Sequence, residues 1–186
     1  MSTPRSQAGL SLIELVMFIV IVGVAVAGVL SVMNVTTRHS ADPMLRKQAL
    51  AIAESLLEEV ELQPFTYCDP DDANAANAAG AFVGPTGCAT TVEALGPEVG
   101  ETRYTTPQFD NVNDYNGFSM SPIVDITGSP INGLGAYTAS VNITQAGAAF
   151  SLPAEVVLQI DVRVVSGDTD ITLTGYRFRY APNAVP

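Results

Sequence analysis

The sequence predicts an α+β protein: one long N-terminal helix, membrane-spanning in its first part, packed on a C-terminal antiparallel β-sheet. Three stretches carry this prediction. Residues 15–35 form an apolar run of 21 residues without a charge. Residues 44–62 place apolar side chains at helical spacing. Beyond Tyr137 the apolar residues recur at every second position, the period of a strand with one buried face.

Residues 1–9 are a short polar leader that carries Arg5 and ends in Gly9. The apolar run that follows is long enough, as a helix, to span about 30 Å, one hydrocarbon core. Its polar residues, Ser31 and Asn34, lie near one end. Gly23 and Gly28 are tolerated there because lipid offers the backbone no competing hydrogen-bond partner. Glu14, at the start of the run, is the exception to its apolar character. A carboxylate in hydrocarbon costs a few kcal/mol, and such residues mark function with a specific partner. Three other readings compete. Arg5 and Ala25-Val26-Ala27 imitate a secretory signal with its cleavage site, but the run is too long for one and holds an acid. A plain signal anchor would carry Glu14 by chance. A buried core helix is disfavoured by the length of the run.

Gly9-Leu10-Ser11-Leu12-Ile13-Glu14-Leu15 resembles the class III signal of type IV prepilins and of type II secretion pseudopilins. The resemblance implies cleavage after Gly9 by a prepilin peptidase and N-methylation of Leu10. It also implies that Glu14 acts in subunit assembly. Leu10 departs from the commoner Phe or Met. Four helical residues rise about 6 Å, so the terminal amine of an axially shifted neighbour would meet Glu14. The partners implied are the peptidase and methyltransferase, other pilin subunits, the inner-membrane assembly platform and membrane lipid. The localisation implied is a single-pass inner-membrane protein with a periplasmic head, then a cell-surface pilus. On this reading 1–9 is the leader peptide, 10–63 the long helix (15–35 transmembrane, 44–62 amphipathic) and 64–186 the globular head.

The chain carries 8 Lys and Arg against 19 Asp and Glu, a net charge of −11 that becomes −12 without Arg5. Such acidity argues against nucleic-acid binding, which requires neutralised phosphates, and suits solubility outside the cell. Cys68 and Cys88 are an even pair in an oxidising compartment and are expected to form one disulfide. A link across twenty residues stabilises by about 3 kcal/mol in the chain-entropy model.

From Thr36 to Asp42 the sequence turns polar, and Pro43 kinks or breaks the helix. Between Met44 and Leu62, residues Leu45, Ala49, Ile52, Ala53, Leu56, Leu57 and Val60 share one face. Glu54, Glu58, Glu59 and Glu61 are expected on a solvated face. Pro64 ends the helix. Asp69-Pro70-Asp71-Asp72 and residues 73–80 are expected to form a surface loop closed by the disulfide. No cofactor or metal is expected in the head. Asp110, Asn113 and Asp114 are a calcium candidate, but they lack the alternating ligands and closing Glu of an EF-hand. The favoured reading of that cluster is a turn in which Asx side chains cap the backbone.

Tyr137, Ala139, Val141 and Ile143 alternate with polar residues, as do Val156, Leu158, Ile160, Val162 and Val164. Ser166-Gly167-Asp168-Thr169 is a hairpin connection. Ile171 and Leu173 start a third strand. After Gly175 the apolar phase shifts to Tyr176, Phe178 and Tyr180, which predicts a bulge. A fourth strand is expected from 99–126, and the amphipathic helix would cover one face of the sheet.

Narrower resemblances lie at Asp42 to Val60, at Phe109-Asp110-Asn111-Val112-Asn113-Asp114-Tyr115-Asn116-Gly117 and at Ile131-Asn132-Gly133-Leu134-Gly135-Ala136-Tyr137. These stretches are similar to minor pilins of the MSHA type, which implies a subunit that primes, caps or decorates a pilus. The cysteine pair departs from major pilins, whose disulfide sits near the C-terminus. A type II secretion pseudopilin and a membrane-anchored adhesin are the alternatives. No enzyme is expected. HExxH, GxSxG and phosphate-loop motifs are missing, and a carboxylate-only glycosidase would lack a sugar-stacking Trp.

Overall fold

The computed structural model describes the backbone of residues 11–185 and the side chains of 11–33 and 43–185. One helix, α1 (Leu12–Leu62), is followed by four strands: β1 (Ser119–Met120), β2 (Thr138–Gln145), β3 (Val157–Ser166) and β4 (Thr169–Phe178). The chain divides into two compact units, Met1–Met44 and Leu45–Pro186.

In the first unit, Ser11 starts the helix. Its carbonyl accepts from the backbone N–H of Glu14 at 3.0 Å and of Leu15 at 3.2 Å, and serine is a favoured residue at this boundary. Glu14 in the first turn puts a negative charge at the positive end of the helix dipole. Leu12–Met33 is 22 residues long and apolar enough to cross a membrane by length and composition. All of these residues are exposed. An uninterrupted apolar surface of this kind calls for lipid or other helices around it. Pro43 stands inside α1, whose helical assignment continues through it.

In the second unit, Ala49, Ile52, Ala53, Leu56 and Val60 of α1 are buried, at the three-and-four spacing of one helical face. Leu57 is partly buried against the same core, whereas Leu45, expected on this face, is exposed. The helix stops at Leu62 because the residue before Pro64 is biased out of the helical region. The sheet is a meander in the order β1-β2-β3-β4, every neighbouring pair antiparallel. Ala139, Val141 and Ile143 of β2 and Leu158, Ile160, Val162 and Val164 of β3 turn inward and join the helix in one core. Each of the fully buried Val, Leu and Ile side chains contributes about 1.5–3 kcal/mol of transfer free energy. The β3–β4 turn is two residues long, closed by the Ser166–Thr169 pair. Gly167 takes φ +55° there, the left-handed conformation such tight hairpins need.

Two expectations are corrected. The bulge after Gly175 is not formed: β3 and β4 pair without interruption from Val157–Phe178 to Ser166–Thr169. The apolar residues change face while the backbone stays regular. Gly175 points at α1, where a Cβ would run into Glu61 Oε1 and come within 3.0 Å of Leu57 Cδ1. A large side chain here would have to displace Leu57 and Glu61 of the helix, and the large residues that follow, Tyr176 and Phe178, face outward. Phe150 packs there on Tyr176 and Phe178, with ring centroids 5.4 and 5.2 Å away.

The helix carboxylates are the second correction. Glu54 and Glu58 are exposed, but Glu59 is not part of a solvated face. Arg103 donates to it twice, Nε to Oε1 at 2.6 Å and Nη2 to Oε2 at 2.7 Å, and the Tyr115 hydroxyl donates to Oε1 at 2.8 Å. Arg103 is buried and also reaches the Asp125 carbonyl at 3.1 Å. This two-pronged pairing, with its fixed geometry, ties α1 to the loops ahead of β1 and β2.

Candidate functional site

Gly9 and Leu10, the expected cleavage and methylation positions, lie outside the described residues. Glu14 lies in the first turn of α1 with its side chain exposed, so its carboxylate is open to a partner from outside the chain.

In the head, Cys68 and Cys88 form a disulfide with Cα atoms 5.5 Å apart. The segment it closes is better packed than a surface loop. Ala75 and Ala78 are buried against the two cysteines, with Tyr67, Val92 and Val185 around them. Asp72 accounts for much of this order. Its Oδ1 accepts from the backbone N–H of Asn74 and Ala89, and its Oδ2 from those of Thr90 and Thr91, at 2.7–2.9 Å. The Thr90 hydroxyl adds a bond at 3.1 Å. Burial pushes the Asp72 carboxyl upward, yet the backbone donors from Thr91, Ala89, Asn74 and Thr90 outweigh it and hold the group well below the usual carboxylate range. Asn183 fastens the other side, donating to the carbonyls of Ala75 at 2.9 Å and Ala78 at 3.0 Å.

The calcium candidate folds as a capped turn. Asn111 caps the 3-10 turn Val112–Tyr115, and the reciprocal bond comes from Asp114, forming a capping box. Asp114 Oδ2 accepts from the Asp110 N–H at 3.0 Å and the Asn111 N–H at 2.8 Å. Asp110 groups with Asp69 and Asp71, whereas Asp114 groups with Glu93 and Glu98.

The Asp114 group holds residues that the sequence did not single out. Facing ligand oxygens of Glu93, Glu98 and Asp114 lie within 4.8 Å of one another. Glu93 is 8 % exposed and Asp114 1 %. Both carboxylate oxygens of Glu93 and Oδ1 of Asp114 are buried without a hydrogen-bond partner. Burial, then the charges of Asp114 and Glu98, raises the Glu93 carboxyl to about 10. Burial likewise raises Asp114 to about 6 and Asp110 to about 7, and Glu98 shifts upward by burial and by Asp114 and Glu101. Glu93 and Glu98 sit in a turn-rich stretch whose spacing gives no pattern. Their meeting with Asp114 depends on tertiary folding: Glu93 N–H bonds the Tyr67 carbonyl at 3.1 Å and Gly96 N–H the Asn113 carbonyl at 3.0 Å.

Residues 4–30 match the family described as the prokaryotic N-terminal methylation motif. No curated protein and no solved structure matches the chain. The matched span includes Gly9, Leu10, Glu14 and the start of α1. It supports a type IV pilin or pseudopilin, a structural protein cut by a prepilin peptidase and assembled with other pilins.

Proposed function

We propose that the chain is a minor type IV pilin of the MSHA type, a subunit that primes, caps or decorates a pilus. One observation carries this reading: the N-terminal methylation motif runs directly into a fully exposed apolar helix. Residues 1–9 are the leader, and the peptidase cuts after Gly9. Leu10 becomes the methylated first residue. Residues 10–63 then anchor the subunit in the inner membrane, and 64–186 form the head in the periplasm.

Assembly follows from packing. The exposed side chains of residues 12–33 leave lipid and bury against the same segments of neighbouring subunits. Glu14 pairs with the terminal amine of an adjacent chain and sets the axial register. The chain's net charge of −11 suits an extracellular position.

Mass spectrometry of the mature N-terminus tests the reading. The expected peptide starts at N-methylated Leu10, and Gly9→Val leaves uncut precursor in the inner membrane. A mature terminus at Gly28, after the Ala25-Val26-Ala27 stretch, would instead indicate a conventional signal peptide. Recovery in sheared pili separates the minor pilin from a pseudopilin of a secretion fibre and from an adhesin that stays in the membrane.

A further inference from the structure

We propose that Glu93, Glu98 and Asp114 hold one calcium ion inside the head. The inference concerns the folded head alone and stands apart from the pilin reading.

An ionised carboxylate removed from water without a partner is among the costliest groups a protein can bury. Glu93 is more than nine-tenths buried and neither of its oxygens has a donor. Asp114 spends Oδ2 on the backbone of Asp110 and Asn111 and leaves Oδ1 buried without a hydrogen-bond partner. The three groups repel one another at this separation unless a positive charge lies between them. Among the described residues none of the three forms an ion pair with a side chain. Among the described residues the ion pairs are Arg103–Glu59 and Arg163–Asp170. Arg179 lines the small cavity beside Glu93 and feels its charge, but forms no ion pair with any of the three acids, and its guanidinium stacks over Phe65 at 4.1 Å.

The donor set selects the ion. All three ligands are carboxylates, and the group holds no sulfur or imidazole, which favours a hard cation over zinc or copper. Calcium accepts six to eight oxygens in irregular geometry, whereas magnesium demands a near-ideal octahedron. Carboxylates from two separate loops, one of them constrained by its capping bonds, suit the more permissive ion. Glu101 accepts from the Glu98 N–H at 3.3 Å and so steadies the third ligand.

The alternative to a cation is a proton, with the buried acids held neutral. Calcium titration of chelator-treated, detergent-solubilised full-length protein at neutral pH separates the two. Calorimetry is expected to give one ion per chain with a Kd of about 0.1–1 mM, the range of extracellular calcium modules. The Tm is expected to climb with calcium, as mass action requires. Glu93→Gln keeps the shape and removes the charge. It should weaken calcium binding at least ~10-fold while its calcium-free form unfolds no earlier than calcium-free wild type. Glu98→Gln, at a half-exposed position, serves as the second variant and should weaken binding in the same way. The proposal is overturned if folded wild type binds no calcium at ~10 mM, well above that range, or if both variants bind as wild type does. An equal Tm rise with magnesium overturns the assignment to calcium.

Discussion

Asp72 and Glu93 are both buried acids in the same head, and their surroundings drive them in opposite directions. Asp72 receives four backbone N–H donors and one hydroxyl, so its charged form is the favoured one. Glu93 receives none on its side chain. The sequence identified neither fate. An Asp in an Asp-Pro-Asp-Asp run and a Glu among turn residues look alike until the fold supplies or withholds donors. For Asp72 the consequence is a pH dependence of defined sign. Its folded-state carboxyl titrates below its usual value of 3.8, so the unfolded chain binds the proton more readily in that window. The stabilisation is therefore complete above the usual value and is lost as pH falls toward the folded value. Asp72→Asn is expected to cost about 1–3 kcal/mol at neutral pH, through donors left short of an acceptor. Urea unfolding at neutral pH and near pH 3 checks this. The gap between wild type and variant should narrow at the lower pH, and a gap that widens would contradict the role given to the charge.

At the scale of elements, β4 shows where sequence patterning succeeds and where it misleads. The alternation in β2 and β3 was legible because both strands are paired on two sides and bury one face, so period two is imposed along their length. The amphipathic half of α1 was legible for the same reason, with Ala49, Ile52, Ala53, Leu56 and Val60 repeating at helical spacing. In β4, an edge strand, the change of phase at Gly175 looked like a backbone irregularity. The cause is an absent side chain: Leu57 and Glu61 of α1 fill the space that a large side chain would need. The position has no left-handed backbone, so alanine gains from a stiffer unfolded chain and has only the movable end of Glu61 and one Leu57 methyl to displace. Gly175→Ala is expected to change stability by less than ~1 kcal/mol, near balance between these effects. Gly175→Val should cost about 1–3 kcal/mol through overpacking against α1. Denaturant midpoints of the two variants measure the difference. Equal midpoints would show that the helix yields freely at this contact.

For the whole molecule, the sequence spoke most clearly where physics leaves few solutions. An uncharged run of this length and composition fits lipid or a bundle of like helices, and the single acid at its head stands out against it. The head was legible as a class, α+β with an antiparallel meander. The Arg103–Glu59 tie and the Glu93 group were not, because residues far apart in sequence meet there without any spacing rule. The assembly proposal concerns the helix end of the molecule and turns on Glu14. In a filament core water is scarcer than at the membrane interface, so an unpaired charge costs more and a paired one gains more. Removing one partner of such a buried pair should cost about 3–5 kcal/mol, through the charge left behind. Glu14→Ala is therefore expected to insert and fold normally but to enter fibres poorly. Glu14→Gln should recover part of the loss, since the amide accepts a hydrogen bond from the amine without carrying a charge of its own. A subunit at the fibre tip has no neighbour beyond it, so the defect there should be milder than in a shaft subunit. Immunoblots of sheared pili against membranes, for wild type and both variants, give the comparison. Wild-type amounts of Glu14→Ala in the sheared fraction, with the same amount in membranes, would remove the register role and leave Glu14 as a determinant of processing alone.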